Sequence, residues 1–269
     1  MTMQGVADAF FLPTDDPERF TATPHTEGPW GAGLQHAGPP SGLVTRAVER
    51  APSSVEGETQ IARLTVEILG AVPVDELTVR ASVVRPGRSV ELVEAEALAG
   101  GRAVLRARAW RIRSVPIELP LTAHRAPEPP PLRPAVETRL QDPMWRSGYL
   151  KAIEWRFVSG TFERTGPALV WGRQRMPLVA GEEPSPTQRL VVLADSGNGL
   201  SRVLDVADWW FINTDLTLHL QRAPVGEWMC VRARTVLGDR GVGVAESLLY
   251  DTGGRVGRGA QALLVGPRT

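Results

Sequence analysis

The chain has 269 residues, 42% hydrophobic and 22% charged, enough for one large domain or two units that each bury a core. Its 30 basic and 30 acidic side chains cancel, so no global field draws it to nucleic acid or an anionic membrane, which leaves room only for a local patch. Cys230 is the only cysteine, which excludes an internal disulfide and any cysteine-based metal site.

Met1 to Ala9 carry no basic patch followed by an apolar run, so no signal peptide is predicted. Nor does any stretch approach the ~18 apolar residues of a spanning helix. The expectation is a cytoplasmic protein without membrane insertion.

The first helix is predicted from Pro39-Pro40-Ser41-Gly42-Leu43-Val44 to about Arg50, with the prolines at its start. Leu64-Thr-Val66-Glu-Ile68 then alternates apolar and polar residues with the period of a strand. A turn at Val72-Pro73-Val74-Asp75 leads to a strand over Leu77–Val84, ended by Arg85-Pro86-Gly87. A third strand runs to about Leu98, and Ala99-Gly100-Gly101 signals a hairpin into a last strand ending near Ile112. Residues 114–143 hold Pro127, Pro129, Pro130, Pro131 and Pro134 and read as an extended linker. A second helix is predicted from Pro186 to about Ala194, its end loosened by Gly197 and Gly199.

The remaining segment repeats the first. Residues 61–113 and 213–265 are two copies of one unit, matching without gaps at an offset of 152 from Leu64/Leu216 to about Trp110/Ala262. Thr65/Thr217, Arg80/Arg232, Glu94/Glu246, Gly101/Gly253 and Arg106/Arg258 are identical pairs, and the turns and alternation recur with them. The chain therefore divides into residues 1–113, the linker 114–143, and residues 144–269. Each half is a helix followed by four strands, α+β in class, which buries both apolar faces if the antiparallel sheet wraps the helix. Exposed sheet edges would allow a further homodimer.

This order of features resembles the tandem, or double hotdog, acyl-CoA thioesterases related to acyl-CoA thioesterase II. The resemblance rests on His36-Ala37-Gly38-Pro39-Pro40 before the first helix, Leu193-Ala194-Asp195-Ser196-Gly197-Asn198-Gly199 along the second, Asn213-Thr214-Asp215 and Gln261. It implies two units each wrapping one long helix. It also implies an acyl-CoA thioester hydrolysed at their seam by an activated water, without metal or organic cofactor. Asp195 matches the family's carboxylate and Gln261 its glutamine. Asn213 stands where the relatives carry threonine.

The residues themselves allow the same assignment and a plainer one. Asp195 ends the apolar run Leu190-Val-Val-Leu-Ala, where a charge is costly to bury without partners; it is either a base for water or a cap for the following loop. Gln261 stands in the helix-facing row Arg255, Gly257, Gly259, Gln261, Leu263, where its twin position is Ala109. It is either part of a site or a structural amide. Strand parity favours Thr214 for the inner face, whereas the resemblance points to Asn213. Gly38, Ser41 and their neighbours at the first helix N-terminus are candidate oxyanion donors, with Gly38 also admitting an acyl group close to backbone. His36 is a substrate contact or a loop histidine. Trp210, in Trp209-Trp210-Phe211, lines an acyl tunnel or packs in the core. The recurring Arg80/Arg232 and Arg106/Arg258 read as a solvated or dimer-contact face, with CoA phosphates as the other option.

Thr45 lies seven residues after Gly38 and Gln188 seven before Asp195, so the loop belongs to one half and the carboxylate to the other. The expectation is one composite site rather than two. The main rival is a non-catalytic acyl-CoA binder on the same fold. A hydratase is disfavoured because no Asp/His pair stands at a matching spacing.

Overall fold

The computed structural model describes residues 8–29, 31–118, 120, 128–130, 132 and 148–268. The first half contains β1 (Phe11–Pro13), β2 (Arg19–Ala22), α1 (Gly38–Arg50), β3 (Thr59–Ile68), β4 (Glu76–Arg85), β5 (Val90–Ala99) and β6 (Arg102–Arg113). The second contains α2 (Gly148–Ala152), β7 (Ile153–Ser159), β8 (Ala168–Gln174), α3 (Pro186–Ala194), α4 (Gly197–Leu200), β9 (Trp209–Asn213), β10 (Asp215–Leu220), β11 (Met229–Leu237), β12 (Val242–Asp251) and β13 (Gly254–Pro267). Most of the expected linker lies outside the described residues, as do Trp30 and Trp145.

All strands join one antiparallel sheet in the order β1-β2-β4-β5-β6-β3-β10-β13-β12-β11-β8-β7, with β9 also on β13. Read outward from the β3–β10 seam, the order of the repeated strands is the same on both sides. At the seam Thr65 faces Thr217, its own counterpart in the repeat, and the two hydroxyls are 3.3 Å apart. A pseudo-twofold axis therefore passes between these two side chains.

The inner face of the sheet is apolar because of the strand period. Leu64, Val66, Ala107 and Ala109 from one half and Leu216, Leu218, Val231 and Leu249 from the other are buried against α1 and α3. The helices contribute Leu43, Val44, Val48 and the continuous run Leu190–Leu193, all buried. They touch closely at Gly42, where a β-carbon would lie 2.6 Å from Val192 Cγ2. α3 starts sharply because Ser185 caps it, accepting from Gln188 N–H at 3.1 Å, with Pro186 next.

Two expectations change here. The second half has no single long helix: α3 has nine residues and breaks at Asp195-Ser196 before the four-residue α4. Arg255 does not join the inner row. A register shift at Leu249/Tyr250 sets Tyr250 opposite Arg255 while Leu249 stays opposite Gly257, so Val256 is the extra residue and Arg255 turns outward.

Candidate active site

Asp195 caps the C-terminus of α3 and is 5% exposed. A carboxylate so buried needs partners, and three converge on it. Asn213 Nδ2 donates to Oδ1 at 2.9 Å, and Gln261 Nε2 reaches the same oxygen at 3.3 Å. His36 Nδ1 lies 3.1 Å from Oδ2. Gln261 is fixed at both ends, because Nε2 also donates to the Asp195 carbonyl at 3.0 Å and Oε1 accepts from Asn198 N–H at 2.9 Å. With two lone pairs on each carboxylate oxygen, Oδ2 keeps one position unfilled.

Asn213 is chosen over Thr214 by an irregularity that parity could not anticipate. Against β13, Asn213 faces Leu263 and Thr217 faces Ala260, four residues on one strand against three on the other. The one-residue shift between β9 and β10 reverses the alternation at this point. Thr214 lies at the break, exposed, with its hydroxyl 3.4 Å from Ala262 O.

His36 is held from behind by Tyr149, whose ring stacks on the imidazole at 3.8 Å and 11°. The phenol donates to Val192 O at 2.8 Å, so the 2.7 Å contact with Ser196 Oγ uses the serine proton. Burial, with the charge of Asp195 adding to it, pushes the Tyr149 phenol well above its ordinary pKa and keeps it neutral. His36 Nδ1 also accepts from Gly38 N–H at 3.0 Å. With one lone pair or one proton, Nδ1 serves either Gly38 N–H as acceptor or Asp195 Oδ2 as donor. This is the Asp/His contact that sequence spacing hid: the two residues are 159 positions apart and meet only because α1 and α3 pack together.

Asp195 opens onto a cleft of about 340 Å³ between the halves. Leu34, Ile68 and Val72 come from the first half, and Leu150, Phe162 and Phe211 from the second. Asn198 stands in the wall with Oδ1 buried and without a hydrogen-bond partner among the described residues. Nothing in the sequence pattern singled out Tyr149, and Ser196 and Asn198 were visible only as members of a motif.

Three other expected residues lie away from the cleft wall. Gly38 leaves no room for an acyl group: a β-carbon there would lie 2.5 Å from Val192 O, so the position is filled by helix packing, and its N–H is taken by His36. Ser41 is fully buried outside the cleft wall, with its N–H bonded to Ala37 O. Trp210 packs on Gly266 of β13 instead of lining the cleft, while its neighbours Phe211 and Ile212 do line it. Neither Gly38 nor Ser41 has an N–H to offer an oxyanion.

Residues 26–112 match the acyl-CoA thioesterase N-terminal domain family, and residues 122–265 match the acyl-CoA thioesterase C-terminal domain family. The chain belongs to the acyl-CoA thioesterase II-like, tandem hotdog family. Its fold is shared by a hot dog protein of unknown function from Alicyclobacillus acidocaldarius, at 15% identity and TM-score 0.73 over 95% of this chain and 96% of that one. A protein of Thermobifida fusca named as a candidate thioesterase II has 19% identity and TM-score 0.71, covering 95% of each chain. The acyl-CoA thioesterase II TesB2 of Mycobacterium marinum has 16% identity and TM-score 0.63 over 96% of this chain and 95% of that one. No curated protein matches the sequence.

In this thioesterase-family chain the pseudo-twofold axis would generate a second site at the other end of the helix pair. That end is built differently. Glu49 of α1 is bound there by Ser185 Oγ at 2.8 and 2.9 Å and by Gln188 Nε2 at 2.7 Å. Burial raises its carboxyl pKa, against the lowering effect of those hydrogen bonds. No histidine or strand amide faces it among the contacts of the described residues. The duplicated architecture has kept the carboxylate–histidine cluster at one end only.

Proposed function

We propose that the cleft hydrolyses an acyl-CoA thioester to the free acid and CoA, with the first unit ending at residue 113 and the second beginning at 144. The observation that carries this reading is the convergence of His36 from one half with Asn213 and Gln261 from the other on a single buried carboxylate at an apolar cleft. Asp195 Oδ2 accepts a proton from water as the water oxygen attacks the thioester carbon. The tetrahedral intermediate then collapses with loss of the CoA sulfur, which takes the proton back. Asn213 and Gln261 hold Oδ1 and so orient Oδ2. His36, backed by Tyr149, shares the proton at Nδ1 while the intermediate exists. The apolar walls from Leu34, Ile68, Phe162 and Phe211 receive the acyl chain, in a volume near the lower end of small-molecule pockets.

A binder on the same fold is favoured by one observation, the occupied N–H of Gly38 beside Pro39 and Pro40, which leaves the α1 N-terminus short of oxyanion donors. Release of free CoA thiol from acyl-CoAs of graded chain length decides between the two. Turnover supports the hydrolase, and saturable binding without thiol release overturns it.

A further inference from the structure

The outer face of the second half carries a charge imbalance that the first half lacks. Arg80 and Arg106 of the first copy recur as Arg232 and Arg258 of the second. In the first copy Glu96 lies between them, paired across the strands with both, and Glu18 binds Arg80 at 2.8 Å. In the second copy the position of Glu96 is Leu248, which stands opposite both Arg232 and Arg258. The arginines were kept and the acid between them was replaced by an apolar side chain.

A histidine and a third arginine join them. His219 is opposite Arg258 on the neighbouring strand, and the β12–β13 bulge turns Arg255 to the same face. Together with Leu248 they line a concavity of about 720 Å³ on the side of β10 and β13 opposite the active cleft. The one acid in its lining, Glu246, is bound to Arg234 at 2.8 Å. Among the described residues no carboxylate comes within 4.0 Å of Arg232, Arg255 or Arg258, and Arg255 Nε is buried without an acceptor. Arg232 and Arg258 flank Leu248 from two strands apart, roughly 10 Å between backbones, which suits two phosphate groups, and three unneutralised guanidinium charges suit a polyanion better than a single carboxylate.

We propose that this concavity binds a phosphate-bearing small molecule through Arg232, Arg255 and Arg258, over the apolar floor of Leu248. The shared chemistry is a pair of phosphate groups, free or on a nucleoside. The test is calorimetric titration of the whole protein at low salt with inorganic pyrophosphate and with adenosine 3′,5′-bisphosphate. Leu248→Glu restores the acid of the first copy, and Arg232→Gln together with Arg258→Gln removes two donors without filling the floor. Saturable binding that weakens at least tenfold in each variant, and with added salt, supports the proposal. Preference for the nucleotide marks a nucleoside bisphosphate site, and equal binding marks a phosphate site. Absence of binding by either probe overturns it. So does binding that both variants retain, or a Leu248→Glu-sensitive dimer in sedimentation without anion binding. Thiol release from acyl-CoA at saturating substrate is expected to be unchanged in all variants.

Discussion

Replacing Gly38 by alanine presses on the contact that brings His36 to Asp195. The added β-carbon would sit 2.5 Å from Val192 O, 3.1 Å from His36 Nδ1 and 3.4 Å from Tyr149 Cε2. The first neighbour is the backbone of α3 and cannot swing away, so α1 must shift by several tenths of an ångström. Overpacking of this kind costs about 1–3 kcal/mol, and alanine's better helix propensity returns at most about 1 kcal/mol. A net loss of about 1–2 kcal/mol corresponds to a Tm lower by roughly 2–8 °C in a chain of this size. Displacement of the imidazole is the larger effect, since a misplacement of under an ångström costs roughly tenfold or more in rate. Calorimetry gives the first quantity and thiol release well below Tm the second. Gly199→Ala is the control for stability, because its β-carbon would meet nothing within 4 Å. A Gly38→Ala protein with the Tm and rate of the parent would refute the idea that helix contact positions the histidine.

Gln261→Ala removes an amide that holds both Asn198 N–H and the Asp195 carboxylate; losing a bond to a charged group costs about 1.5–3 kcal/mol, or roughly ten- to hundredfold in thiol release. Tyr149→Phe keeps the stack on His36 but leaves Val192 O and Ser196 Oγ without the phenol, and chemical denaturation should register about 1–3 kcal/mol. Glu91 is buried with Arg111; burial alone would raise its pKa, but bonds from Ser53 and Ser54 and the Arg111 charge hold it below the ordinary carboxylate range. Its stabilisation is therefore present above the unfolded value of about 4.3 and lost as pH falls through the lowered folded value. Glu91→Gln should cost about 3–5 kcal/mol at neutral pH and flatten the decline of Tm with acid between roughly pH 5 and 3.

The duplication was legible because a strand meander writes its period and turns into every residue, and matching at one offset accumulates over fifty positions. That Thr65 would face Thr217 was not legible, since the repeat says which strands are alike and not which of them meet. Single-residue bulges account for the errors of face. The shift before β10 turned Asn213 inward in place of Thr214, and the one at Leu249/Tyr250 sent Arg255 outward. Asp195 and Gln261 stood out as polar residues in apolar rows, and both proved buried and bonded to each other. His36 was visible as a loop residue, but its contact with Asp195 depends on how closely two helices pack, a distance that alternation does not encode. Tyr149 follows the proline-rich segment with no pattern around it, and only the fold shows that it lies beneath His36.

In the proposed hydrolysis one carboxylate, served by both halves, activates water against a thioester. Steady-state thiol release by the parent protein and by Asp195→Asn, on the same panel of acyl-CoAs, tests it most directly. A loss of about 10²–10⁴-fold in kcat, with acyl-CoA binding retained, is expected. Unchanged hydrolysis by the Asp195→Asn protein across the panel would contradict it.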